Sequence, residues 1–253
     1  RRAGLAAVIV PSSDPHLSEY LPDRWKGREY LSGFTGSVGT LVVTRDAAGV
    51  WVDSRYWTQA EVQLAGTGVD LMKLPGTASL AHVDWLAAVL KRGDTVAVDG
   101  TVLALAAGRA LEAALTSKGI RVRTDLDILT EIWPDRASLP IPPIYEHVPP
   151  FATTPRSAKI AAVREEMRKA AATHHFISTL DDIAWLTNLR GADVSYNPVF
   201  VAHLLLDARS ARLFVADGKI ENGLKSRLAA DGIEVAPYTQ AAAALAALPP
   251  AAT

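Results

Sequence analysis

The stretch SVGTLVVTRDAAGVWVDSRY, residues 37–56, decides the fold of this chain. It contains two runs of mainly apolar residues, 39–44 and 49–53, separated by the polar turn RDAAG. Two such runs joined by a short polar turn predict a β-hairpin. The second run ends at Asp53, and Arg55 follows two residues later. The sequence therefore predicts a carboxylate and a guanidinium together at the tip of a buried strand.

Strands and helices alternate on both sides of this hairpin. An apolar run predicts a strand at 5–10, and Ser13 or Asp14 is expected to cap a short helix near 16–20. The residues after the hairpin predict, in order, a helix at 54–65, a strand at 69–74, a helix at 79–93, a strand at 95–100, a helix at 103–119, a strand at 120–125 and a short helix at 125–133. This alternation predicts the α/β class, with a mixed β-sheet flanked by helices.

The same pattern occurs a second time in the chain. A second hairpin is predicted at 197–220, preceded by a strand, an acidic cap and a helix at 174–191. A helix, a glycine turn and a strand follow at 221–238. Because the elements repeat in order and spacing, we predict two tandem domains of related topology. Residues 5–72 and 174–236 should share strand order and direction.

The expected domain limits follow from this repeat. We predict a first domain at 1–133, a linker at 134–155 and a second domain at 156–253. The linker is rich in proline, which disfavours regular strand pairing and favours an extended connection on the surface. The second copy lacks a counterpart of the last strand and helix of the first. We therefore expect the second domain to be truncated and the chain to be a fragment.

Composition excludes several functions. The 253 residues include no cysteine, which rules out thiol catalysis, disulfides and cysteine-ligated zinc. The formal net charge is −1, and no basic stripe or polybasic cluster indicates nucleic acid or an anionic membrane. No apolar run approaches the ~20 residues of a membrane span. We expect a cytoplasmic protein that binds neither nucleic acids nor membranes.

The titratable residues do not form a recognisable catalytic or metal motif. The six histidines match none of the usual zinc-ligating spacings. Asp14, His16 and Glu19 could in principle bind a metal, but a helix cap with a solvated first turn is the favoured interpretation. Asp181 and Asp182 suit the positive end of a helix dipole. We predict no catalytic residue and no metal ligand in this chain.

The glycine-rich segment GFTGSVG, residues 33–39, precedes a strand and does not open a helix. This position argues against a phosphate-binding loop. Its glycines allow left-handed conformations and close approach of the backbone. A loop that contacts a ligand or a neighbouring domain is therefore an open alternative.

Arg55 is the candidate binding residue. Asp53 is expected to hold its guanidinium in a bidentate fork, with Tyr56 and Trp57 shielding it. An arginine oriented in this way suits a carboxylate or a peptide carbonyl, whereas an ordinary solvated arginine is the alternative. Lys219 stands at the same place in the second copy, which predicts that both copies present a cation.

Five blocks of the sequence together resemble the eukaryotic-type Xaa-Pro aminopeptidases. The blocks are VIVPSSDPHLSEYL at 8–21, YLSGFTGSVGTLVVT at 30–44, WVDSRYW at 51–57, LTEIWPDR at 129–136 and LDDIAWLTNLRGADVSYNPVF at 180–200. The resemblance implies two creatinase/prolidase-type N-terminal domains, which a C-terminal pita-bread domain absent from this chain would follow. It also implies hydrolysis of the bond between an N-terminal residue and a following proline. The implied cofactor is a pair of metal ions, usually manganese, bound in the absent domain.

The resemblance further implies a homodimer and a role for Arg55. The family motif DGRY matches residues 53–56, with Ser54 in place of the glycine, and its arginine contacts the peptide substrate. The chain would then be the non-catalytic N-terminal part of the enzyme, inactive alone and partnered by its own catalytic domain. The alternative is a stand-alone interaction module built from two creatinase-type domains. A creatinase or prolidase is a third hypothesis, against which the duplication speaks.

Overall fold

The computed structural model describes residues 4–76 and 80–253, so Ser79, the expected first residue of one helix, lies outside the described residues. The chain divides into two compact units, residues 1–136 and 137–253. Each unit has a β-sheet and a hydrophobic core of its own. In the described ranges, no helix combines the length and apolarity that crossing a bilayer requires.

The first unit contains a mixed sheet covered by helices. Its strands are β1 (Ala7–Pro11), β2 (Thr40–Thr44), β3 (Ala48–Val52), β4 (Asp70–Lys73), β5 (Thr95–Val98) and β6 (Arg121–Arg123). Its helices are α1 (Gly27–Ser32), α2 (Trp57–Leu64), α3 (Ala81–Val89), α4 (Leu105–Thr116) and α5 (Ile128–Ile132). The strand order is β4-β3-β2-β1-β5-β6, with antiparallel pairing in β1–β2–β3 and parallel pairing elsewhere. The predicted α/β class with a mixed sheet is confirmed.

Successive side chains of the hairpin strands point to opposite faces of the sheet. Each face carries its own buried apolar cluster. Leu41 and Val50 belong to one cluster, which also contains Ala60 of α2. Val42 and Trp51 belong to the opposite cluster, together with residues of α3 and α4. A strand that is apolar on both faces requires helices on both sides of the sheet. The hairpin quoted above therefore fixes the layered architecture of the unit.

The short helix predicted near 16–20 is absent from the structure, and this prediction is wrong. The Asp14 carboxylate instead accepts hydrogen bonds from the backbone N–H groups of His16, at 2.9 Å, and Ser18, at 3.0 Å. Leu17 adopts a left-handed conformation with φ of 54°. An acidic side chain that closes a local turn competes with helix formation, and a left-handed residue cannot continue a right-handed helix. Asp14 is a cap, as expected, but it caps a turn.

The second unit repeats the topology of the first four strands. Its strands are β7 (Tyr145–Glu146), β8 (His174–Ile177), β9 (Leu189–Arg190), β10 (Ala202–Asp207), β11 (Ala211–Val215) and β12 (Ile233–Pro237). Its helices are α6 (Arg156–Lys169), α7 (Leu180–Thr187), α8 (Asn222–Ala230) and α9 (Ala241–Ala246). The order β12-β11-β10-β8 matches β4-β3-β2-β1, and each pair keeps its direction. The predicted shared strand order is confirmed.

The proline-rich segment 134–155 is more than an extended connection. Tyr145 and Glu146 pair antiparallel with β9 as strand β7. Ile144 is buried, and its N–H donates to the carbonyl of Lys219 at 2.9 Å. The prediction of a surface linker therefore fails for these residues, because the five consecutive residues without proline at 144–148 are enough to form a ladder and fill a core position.

Candidate functional site

Arg55 lies just beyond the carboxyl end of β3, the strand between β2 and the edge strand β4. The chain leaves the sheet at Val52 and forms a single 3-10 turn over Ser54–Tyr56 before α2 begins. Asp53 caps this turn, and its side chain accepts the N–H of Arg55 at 3.1 Å. The cap determines the backbone direction at Arg55. The strand end thus presents the side chain of Arg55 from a short, well-defined turn.

Asp53 holds the guanidinium of Arg55 in a bidentate fork, as predicted. Nε of Arg55 donates to Oδ1 of Asp53 at 3.0 Å, and Nη2 donates to Oδ2 at 2.8 Å. The Asp53 side chain is only 4% exposed, whereas that of Arg55 is 60% exposed. A guanidinium carries five N–H groups, so three remain for other partners. Among the described residues, none of these three has a hydrogen-bond partner.

The fork also determines the protonation of both groups. The hydrogen bond from Arg55 lowers the pKa of the Asp53 carboxyl, although burial opposes this shift. The same bond raises the pKa of Arg55, and the charge of Glu19 adds a smaller effect. The pair is therefore ionised throughout the physiological range. The turn offers a fixed cation to solvent.

The pKa of Asp53 gives a first prediction. Because the folded-state pKa is lowered, the ionised pair stabilises the fold fully above the unfolded carboxyl pKa of about 4, and this stabilisation is lost as pH falls through the lower folded value. The substitution Arg55→Ala should raise the pKa of Asp53 in a carboxyl NMR titration. An unchanged pKa would show that Arg55 does not ion-pair with Asp53 in solution.

The two aromatic residues next to Arg55 have different roles. The Arg55 guanidinium lies 5.4 Å from the centre of the Tyr56 ring, within the range of a cation–π contact. Trp57 instead donates its Nε1–H to the carbonyl of Val52 at 3.0 Å, and its ring faces the ammonium of Lys73. Tyr56 therefore supports Arg55 as expected. Trp57 anchors the strand end through these contacts, and its shielding of Arg55 stays a prediction.

The segment 33–39 lies against Tyr56. The hydroxyl groups of Ser37 and Tyr56 are 2.6 Å apart. A Cβ atom at Gly36 would lie 2.8 Å from Cδ1 of Tyr56, so the backbone approaches the ring more closely than any side chain allows. The Phe34 ring packs edge-on against Tyr56 with centroids 6.0 Å apart. The glycine-rich segment thus forms one side of the Arg55 site.

Lys219 does not present a cation at the equivalent place in the second unit, which corrects the prediction made from the repeat. Its ammonium forms an ion pair with Asp193, and both side chains are fully buried. Burial raises the pKa of Asp193 and lowers that of Lys219, while the hydrogen bond between them opposes both shifts. The second copy uses this position to hold its own core. At this strand end, the exposed fork is found in the first unit and a buried ion pair in the second.

The other candidate ligands do not converge. Over residues 4–76 and 80–253, no group of three or more histidine or acidic side chains is arranged to hold a metal ion. Oδ1 of Asp14 accepts from the backbone of its own turn, and its buried Oδ2 belongs to no such group. Asp181 and Asp182 lie in the first turn of α7, as predicted. The structure supports Arg55, and not these residues, as the centre of a candidate site.

Sequence reasoning missed Arg28. This arginine lies in α1, is 5% exposed and donates to the carbonyl of Phe34 at 3.0 Å. A charged residue in a short helix is usually solvated, so its type gave no signal of burial. The signal that could have found it is the length of GFTGSVG: a seven-residue loop next to a candidate site needs donors for its carbonyl groups.

The fold and the two sequence repeats define a class of domain. The sequence profile described as Creatinase/Prolidase N-terminal domain matches residues 1–129, and a second profile of the same description matches residues 135–253. The chain therefore belongs to the creatinase/prolidase N-terminal domain family. Within that class, the resemblance to Xaa-Pro aminopeptidases is confirmed by the individual relatives.

Aminopeptidase P2 of Arabidopsis thaliana is 37% identical over 240 residues, which cover 93% of this chain and 33% of the relative. Xaa-Pro aminopeptidase 1 of Dictyostelium discoideum is 36% identical over 244 residues, covering 93% of this chain and 39% of the relative. The solved X-prolyl aminopeptidase of Caenorhabditis elegans is 30% identical and superposes with a TM-score of 0.89 over 95% of this chain and 39% of that one. It is described as a cytosolic enzyme with a di-nuclear active site. The chain spans between a third and two fifths of these relatives.

Proposed function

We propose that this chain is the non-catalytic N-terminal part of a metal-dependent Xaa-Pro aminopeptidase, which removes the residue that precedes proline at a peptide N-terminus. Similarity to Xaa-Pro aminopeptidases over more than nine tenths of the chain supports this proposal. The two units would shape the substrate site and the assembly of the enzyme. A first domain at 1–133 and a second at 156–253 remain our proposed limits.

In this proposal the reacting groups lie in a C-terminal pita-bread domain outside the chain. The di-nuclear site of the Caenorhabditis elegans relative supports two metal ions, which we take to be manganese. Such a pair would activate a water molecule and polarise the carbonyl before proline. The described residues of this chain do not fit a metal, so no step of the reaction is assigned to them.

The fork at Arg55 is the observation that supports a role for this chain in binding peptides. Three N–H groups of a permanently charged, oriented guanidinium point away from the buried Asp53. A peptide carbonyl or carboxylate is a suitable acceptor for them. Arg55 would hold a peptide with proline at its second position against the catalytic domain, supplying orientation and no proton transfer.

Two further properties belong to the same proposal. The intact enzyme is expected to be a homodimer, as the resemblance to the family implies. It is expected in the cytoplasm, which agrees with the cytosolic description of the Caenorhabditis elegans relative. Size-exclusion chromatography with light scattering tests the first property, and imaging of the tagged intact protein tests the second.

The location of the active site can be tested directly. Residues 1–253 incubated with manganese and a Xaa-Pro-Xaa peptide should release no free amino acid, whereas the intact gene product should release the first residue. Chromatography of the released amino acid measures both. Metal-dependent turnover by residues 1–253 would contradict the proposed location. An intact product without turnover would favour the interaction module.

A further inference from the structure

Arg28 is a buried arginine whose partners are neutral. Its Nε donates to Oγ of Ser12 at 2.7 Å, Nη1 donates to the carbonyl of Phe34, and Nη2 donates to the carbonyl of Gly36. Its guanidinium lies 4.7 Å from the centre of the Phe34 ring. Burial lowers its pKa to about 10, so it remains charged at neutral pH. In the described residues, no carboxylate forms an ion pair with it.

The targets of Arg28 determine the shape of one segment. Phe34 and Gly36 both belong to the segment 33–39, and the fork holds their two carbonyl groups in fixed directions. Gln63 accepts the N–H of Thr35 at 3.0 Å and donates to its hydroxyl at 2.8 Å on the outer side. The segment is therefore held from both sides. A buried charge is costly to the fold, so its place beneath this segment calls for a specific explanation.

The same segment contacts the residue that supports Arg55. Ser37 hydrogen-bonds the hydroxyl of Tyr56, Gly36 lies against its ring, and Tyr56 lies beneath the Arg55 guanidinium. The hydrogen bonds to Asp53 hold one edge of the Arg55 guanidinium but provide no contact to its planar face. The contacts from Arg28 through the segment 33–39 to Tyr56 supply that second constraint.

We propose that Arg28 and Ser37 are positioning residues for Arg55: Arg28 sets the segment 33–39, and Ser37 fixes Tyr56 beneath the guanidinium. This inference rests on the proposed function, in which Arg55 contacts the peptide. Neither residue touches the peptide in this scheme. Their effect on the reaction passes through Arg55 and disappears when Arg55 is absent.

The test is a set of double-mutant cycles in the intact enzyme, read as kcat/KM on a Xaa-Pro-Xaa peptide. Ser37→Ala and Tyr56→Phe should each lower kcat/KM by about three- to tenfold, which is the usual effect of losing one neutral hydrogen bond. In the Arg55→Ala background both should have no further effect. Ser37→Thr keeps the hydroxyl and should restore the wild-type value. Ser117→Ala, which removes an exposed hydroxyl bonded to the carbonyl of Ala114, is the matched control.

Arg28→Lys tests the buried end of the contacts that run from Arg28 through the segment 33–39 to Tyr56. A thermal melt shows whether this variant folds. If Arg28→Lys folds, it should lower kcat/KM when Arg55 is present, because an ammonium cannot reproduce the planar fork. It should have no further effect in the Arg55→Ala background. If it fails to fold, the Ser37 and Tyr56 cycles still decide the question. Wild-type kinetics for Ser37→Ala and Tyr56→Phe, or equal losses in both backgrounds, would overturn the inference. Wild-type kinetics for Arg55→Ala would instead overturn the proposed function.

Discussion

Replacing Lys219 with alanine should destabilise the second unit by about 3–5 kcal/mol, the usual cost of removing one partner from a buried ion pair. The Asp193 carboxylate would keep one donor, the N–H of Val201 at 2.7 Å. Its Oδ1 atom is buried and has no hydrogen-bond partner in the described structure. The substitution therefore leaves a desolvated carboxylate that the fold cannot compensate. The loss should concentrate in β10 and β11, which lie next to this pair in the chain.

Urea denaturation followed by hydrogen exchange of the β10 and β11 amides measures this effect. Arg212→Ala is the control, since Arg212 and Glu234 form an exposed pair in the same sheet and such pairs contribute about 0–1 kcal/mol. The double variant Asp193→Leu with Lys219→Met should recover most of the stability, because no charge is then left buried. A loss for Lys219→Ala no larger than that for Arg212→Ala would contradict the buried pair.

Replacing Arg55 with alanine should lower kcat/KM of the proposed intact peptidase by tenfold or more, since loss of the proposed charge-assisted hydrogen bond to the peptide corresponds to roughly ten- to a hundredfold. Arg55→Lys should recover only part of the loss, because a point charge cannot reproduce a planar fork. Metal content should not change. The measurement is steady-state kinetics on a proline-containing tripeptide, with metal analysis and a thermal melt.

The chain offers a matched control for this experiment. Arg123 forms the same fork with Asp125 two residues later, with Nε–Oδ1 at 3.0 Å and Nη2–Oδ2 at 2.6 Å. Arg123→Ala should leave kcat/KM unchanged. Arg55→Ala should lower the melting temperature more than Arg123→Ala does, because Asp53 is buried whereas Asp125 is exposed. Equal kinetic effects of the two variants would reduce Arg55 to an ordinary surface arginine.

The parts of the fold that depend on local pattern were predictable from the sequence. Both hairpins follow from apolar runs across a polar turn, and the fork of Arg55 with Asp53 follows from a spacing of two residues at a strand end. The repeated order of strands and helices in the sequence predicted that the two sheets share their topology. In each case the interacting groups are close in the chain, so residue type and spacing carry most of the information.

The predictions that failed depend on contacts between distant residues. Lys219 is buried because Asp193, 26 positions earlier, lies within reach, and no local pattern encodes that contact. Arg28 is buried because a segment six to eight residues away folds over it. The N–H of Ile144 donates to the carbonyl of Lys219, a contact that the proline-rich sequence around Ile144 does not predict. Burial of a charged or isolated apolar residue is a tertiary property.

The location of the groups around Arg55 has a consequence for the order of events during synthesis. Every contact described here that orients Arg55 comes from residues between Ser12 and Gln63, within the first unit. Protein chains are made from the N-terminus, and domains generally fold as units as they emerge. The oriented guanidinium can therefore be complete while the second unit is still being translated.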